Sequence, residues 1–161
     1  MSDIATAPTW MGLEPLIKAR LAPAAQALDP TVRVFSVEDM REAMFEESLP
    51  KPSVRIVYAG YRPLPEDNGA PTPPGFRRVE QYWVTTVAVR NVRDIREGAA
   101  SRADASPLCD LVLDLLDVWN PGQGYGPLNL MAPQIAALTR DGCSYIPFAF
   151  SCRFRRKKTC P

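Results

Sequence analysis

The sequence contains no histidine. This excludes Ser-His-Asp and Cys-His nucleophile systems and every histidine-containing zinc site. A group moving protons near neutral pH would have to be a strongly shifted carboxylate, lysine or cysteine. Long apolar runs are also missing: no stretch reaches the ~18 residues expected of a transmembrane helix, so no membrane partner is expected. Met1 to Thr9 lacks a basic region followed by an apolar one and does not read as a secretory signal. Cysteine is scarce and unclustered. Cys109, Cys143, Cys152 and Cys160 form no C-x-x-C pair, which weakens zinc and redox readings. Cys109 lies in an apolar helical pattern. Cys143 and Cys152 fall on opposite faces of one expected strand and cannot bridge each other. All four read as reduced thiols. A charge excess is absent as well. Nineteen basic and 18 acidic residues leave +1, no footprint for a dedicated nucleic-acid binder.

What is present in excess is proline: 17 of 161 residues, where about 5% is usual. The length fits one domain able to enclose a core without metal or disulfides. Five of the prolines fall in residues 62–75, RPLPEDNGAPTPPG, which reads as a long loop, either disordered or functional.

Around that loop the periodicities alternate. Leu13, Leu16, Ile17, Leu21, Ala24 and Leu28 recur at helical spacing; Pro15 suits a first turn, whereas Pro23 would kink or end the helix. Thr31 to Val37 reads as a short strand, and Glu38 to Glu47 as an acidic helical turn. Ser53 to Tyr61 is a strand with Val54, Ile56 and Tyr58 on one face. Phe76 to Asn91 is the longest strand, apolar on both faces, which requires cover on both sides by helices or neighbouring subunits. Ser106-Pro107 predicts a helix start, with a stripe from Leu108 to Trp119 ended by Asn120-Pro121-Gly122. Gly124 to Pro127 predicts a turn, Leu128 to Leu138 a strand interrupted by Pro133, and Arg140-Asp141-Gly142 a hairpin turn. Cys143 to Phe154 is the last strand. Pro147 within it predicts an edge or a bulge. The order gives an α+β fold: a mainly antiparallel sheet of four to five strands packed by two main helices. Residues 1–10 read as a flexible arm, 11–154 as one domain and 155–161 as a basic tail.

The candidate chemistry is thin. Glu38, Asp39, Glu42, Glu46 and Glu47, and the pair Asp114 and Asp117, read as solvated helix faces rather than metal ligands, because convergent loops are missing. Gly122-Gln-Gly124-Tyr-Gly126 matches no phosphate-binding loop. Tyr82 and Trp83 are consecutive in one strand and leave opposite faces, so at least one needs a second helical layer or an oligomer contact. Arg153, Arg155, Arg156, Lys157 and Lys158 form a basic run: a solvated tail, or a contact with an acidic partner or phosphates.

The strings PSVRIVYAGYR, RRVEQYWVTTVAVRNVRD, LCDLVLDLLDVW, a GPL turn and DGCSYIPFAFSCRF, in this order, resemble the Mu-like bacteriophage tail-terminator family, also described as tail-completion proteins, over Leu13 to Phe154. The resemblance implies a structural protein and not an enzyme, with no cofactor or metal. It implies a hexameric ring at the head-proximal end of the tail tube that stops tube polymerisation and joins the tail to the neck. Its partners would be copies of itself, the tail tube protein, the tail sheath and the head–tail connector. DNA would meet it only in passage through the lumen. The protein would assemble in the host cytoplasm and reside in the virion. Candidate subunit or partner contacts are then Tyr82, Trp83, Arg62, Glu66, Asp67, Arg153, Arg155, Arg156, Lys157 and Lys158. The loop 62–75 and the basic extension 153–161 depart from a minimal member. Two rival readings are a neck or head–tail joining accessory protein that contacts DNA through the basic C-terminus, and an enzyme built on carboxylates alone.

Overall fold

The computed structural model describes residues 8–65, 74–90 and 98–157, the side chains of 98–102 excepted. In chain order its elements are α1 (Leu13–Leu28), β1 (Arg33–Ser36), α2 (Met40–Phe45), β2 (Ser53–Pro63), β3 (Phe76–Arg90), α3 (Gly98–Leu116), β4 (Tyr125–Met131), β5 (Leu138–Arg140) and β6 (Cys143–Lys157). The fold is α+β. Its sheet runs β1-β2-β3-β6-β4, with β5 pairing β6 beyond the end of β4. All pairings are antiparallel except β1 with β2. That parallel pair needs a crossover, which α2 supplies.

β3 and β6 form the spine, paired along all 15 residues of each. Their alternation sends Val79, Trp83, Val87, Phe150 and Phe154 to one face, where α1 and α3 cover them. Leu13, Ile17, Leu21 and Ala25 of α1 are fully buried at strict i, i+4 spacing. Leu28, read as part of that stripe, is 47% exposed. The opposite sheet face carries Val57, Val84, Ala88, Tyr145 and Ala149, and α2 covers part of it through Ala43 and Met44. Both faces of β3 are therefore covered by helices over its C-terminal half, as its two apolar faces require.

Several local expectations are corrected. Pro23 neither ends nor interrupts α1, and α3 begins at Gly98 rather than at Ser106, so that Pro107 lies inside it. Both prolines are exposed, so water can take the carbonyl that each leaves unpaired. α3 ends at Leu116, before Asn120-Pro121-Gly122. The chain turns there through Val118, a β-branched residue at φ 58°. Tyr125 to Pro127 lie in β4 rather than in a turn. β6 is an interior strand, not an edge. Pro147 is tolerated because β5 pairs residues 143–145 and β4 pairs residues 149–154. Position 147 falls between the two, where no ladder donor is needed on that side. Arg140-Asp141-Gly142 forms the expected hairpin turn, with Asp141 at φ 51° and Gly142 at 72° as a type I′ turn demands.

The outer edge of β4 is closed by the chain that follows α3. Val118 N–H donates to the Leu128 carbonyl, Leu128 N–H to Trp119, and Leu130 N–H to the Asp117 carboxylate. Asp117 is thus a structural acceptor and not merely a solvated face.

Candidate functional site

The β3–β6 ladder ends in charge. At its start Arg77 stands opposite Arg156 and Arg78 opposite Arg155, with Phe76 opposite Lys157. Like charges directly opposed destabilise a sheet. Two residues inward, β2 joins, and Arg62, Glu80 and Arg153 line up across three strands. Glu80 is 3% exposed. One of its carboxylate oxygens accepts from Arg62 Nε at 2.6 Å and from the Tyr82 hydroxyl at 3.0 Å; the other accepts from Arg153 Nε at 2.8 Å. Burial works against its charge, but the hydrogen bonds from Arg153, Arg62 and Tyr82 outweigh it and hold the carboxyl below its ordinary value of 4.5. Both arginines are bound through Nε while their side chains stay 59% and 58% exposed. The carboxylate therefore fixes two half-exposed guanidiniums and offsets only one of their two charges.

On the helix-covered side of this strand end, Arg156 lies 5.6 Å over the Trp10 ring, a cation–π contact. Trp10 in turn meets Tyr61 edge-on at 4.8 Å. A cleft of about 730 Å³ opens beside the end of β6. Leu64 and Phe76 supply its apolar wall, and Arg78, Arg153, Arg155 and Lys157 its basic rim. A second groove, of about 340 Å³, runs over the sheet face not covered by α1 and α3, with Tyr82, Val84 and Ala149 on its floor, between the start of α2 and residues 131–135.

The structure thus brings together Arg62, Tyr82, Arg153, Arg155 and Lys157 on one face of the sheet, with Arg156 at the same strand end on the other face. Arg155 to Lys157 are strand residues, not tail. Trp83 is separated from them: it is fully buried, its Nε1 donates to Gln81 at 3.3 Å, and its ring packs on Tyr58 at 5.2 Å. The helical layer is its cover, and it has no surface for direct contact with a partner. Glu66, Asp67 and Lys158 lie outside the described residues. Glu80, Arg77 and Arg78 were missed as site residues. Alternation places Glu80 on the face of Tyr82, but its two arginines come from strands 18 and 73 residues away.

The remaining polar chemistry is structural. Asp39 caps α2 by accepting from Glu42 N–H, and Glu42 accepts from Glu38 N–H. Burial pushes the Cys109 thiol up to about 11 and the Cys152 thiol to about 12. Such thiols are poor nucleophiles. Among the described residues no group of three or more Asp, Glu or Cys could hold a metal ion. No described helix is long and apolar enough to cross a membrane. What the site offers is a set of fixed cations beside an apolar wall.

The family model described as phage tail terminator protein matches residues 13–159. The chain belongs to the phage tail terminator family. The match spans every described element, from α1 to β6. Family membership gives this chain a structural role in a phage tail and makes it a virion component. No curated protein matches it.

Proposed function

We propose that the protein forms a ring, of six copies by the family resemblance, on the head-proximal end of the tail tube. There it ends tube polymerisation and joins the tail to the neck. The observation that carries this reading is the family match over 13–159. The surface agrees with it. A ring is built from heterologous contacts, in which two different patches of each copy meet, and the basic strand end is one patch in search of a different one. The tail tube, the sheath and the connector are its further partners, and DNA passes through the lumen.

Electron microscopy of tails assembled with and without the protein tests the proposal. Tubes of fixed length, each ending in a ring, are expected with it, and overlong tubes without it. Identical tube lengths in both preparations would overturn it, as would a protein that stays monomeric in solution and fails to bind tube ends.

A further inference from the structure

The basic cleft has its complement on the same chain. Residues 38–47 hold five acids and one arginine. Near their end stands Phe45, 47% exposed, followed by the exposed Glu46 and Glu47. This turn leads into the start of β2, whose Ser53 pairs with Ala88 near the far end of β3. The cleft lies at the near end, beside Phe76. At ~3.4 Å per residue the 15 residues of β3 put the two patches roughly 45 Å apart, at opposite ends of the strands. One patch is an exposed aromatic followed by two exposed carboxylates, Glu46 accepting from Ser48 and Glu47 lying 3.9 Å from Arg140 Nε. The other is an apolar wall, including the 38% exposed Phe76, rimmed by arginines and a lysine. Patches at opposite ends cannot meet within one copy.

We propose that the Phe45-Glu46-Glu47 turn of one copy seats in the cleft of the next. Phe45 packs on Phe76 and Leu64, and the two carboxylates face Arg155 and Lys157. The contact rests on the ring reading and specifies its subunit joint.

Charge reversals on the full chain test the joint. Glu46→Lys with Glu47→Lys breaks the turn, Arg155→Glu with Lys157→Glu breaks the cleft, and Phe45→Ser is a second turn variant without charge change. Folding is checked by circular dichroism. Size-exclusion chromatography with light scattering should show rings for the unaltered protein and at least ~10-fold weaker assembly for each variant. Mixing the two charge variants joins an intact turn to an intact cleft and the Lys-bearing turn to the Glu-bearing cleft, so the mixture should recover assembly, with the two variants alternating, that neither shows alone. The proposal is overturned if the folded variants assemble like the unaltered protein, or if the mixture assembles no better than either variant by itself. It is also overturned if the cleft reversal leaves rings intact and abolishes salt-dependent binding of duplex DNA, which would assign the cleft to nucleic acid. Rings unaffected by the reversals sink this joint alone. An unaltered protein that forms no ring, even on tube ends, sinks the ring reading with it.

Discussion

Glu80 sets the geometry of the basic strand end, and its titration is a direct handle on it. Its carboxyl is held below 4.5 in the folded protein. The folded state therefore binds the proton less tightly than the unfolded chain. The stabilisation is present above pH 4.5 and is lost as pH falls through the depressed value. Glu80→Gln should lower stability at pH 7 by about 1–3 kcal/mol and flatten the loss below pH 4.5, as read from urea melts across pH. Val118 offers the opposite test. It is 70% exposed and held at φ 58°, a conformation costly for a β-branched side chain. Val118→Gly should stabilise by about 1 kcal/mol, visible as a raised melting temperature. Gly126 is constrained by a close approach: a Cβ there would lie 2.7 Å from the Arg153 carbonyl oxygen. Gly126→Ala should destabilise by roughly 1–3 kcal/mol in the same assay.

At the scale of elements, α2 is the piece whose stability is borrowed. Six residues make no helix alone. Asp39 caps its start, and the buried Arg55 guanidinium donates to the Glu42 and Ala43 carbonyls at 3.2 and 3.0 Å while lying 5.3 Å from the Tyr145 ring. Asp39→Ala should cost about 1 kcal/mol, and hydrogen exchange should show the loss concentrated in the α2 amides. The elements were also where the sequence was most legible. Strand periodicity places β2, β3 and β6 within a few residues, because β-branched and aromatic residues are concentrated there. Proline misled in both directions. Pro107 was read as a helix start because local chemistry favours it there, whereas the Ala-rich turn before it extends the helix. Pro147 signalled an edge because the sequence cannot reveal that two separate strands flank it.

At the scale of the molecule, the basic end was only half legible. The run Arg153 to Lys157 is contiguous and visible, but its pairing with Arg77 and Arg78 spans the sheet. Glu80 acquires its role only from register. The whole-molecule expectation is ionic. Raising salt from 0.1 to 1 M shrinks the screening length from ~10 to ~3 Å. Rings joined through Phe45-Glu46-Glu47 should therefore loosen with salt but retain an apolar residue of affinity. Light scattering across a salt series would record this, and assembly indifferent to salt would contradict it.

The sealed outer edge of β4 has a consequence for how copies can add. Strand addition needs open backbone donors and acceptors, and here Asp117, Val118 and Trp119 already occupy those of Leu128 and Leu130. Among the described residues the edges left are the four residues of β1, the three of β5, and β2 beyond its pairing with β1, from Val57 to Pro63. A subunit with one long edge closed cannot lengthen its sheet indefinitely from copy to copy, so side-by-side growth into a fibre has nowhere to run. For the proposed ring this leaves the ends of the strands as the joint, where a fixed angle between neighbours would bring the last copy back to the first.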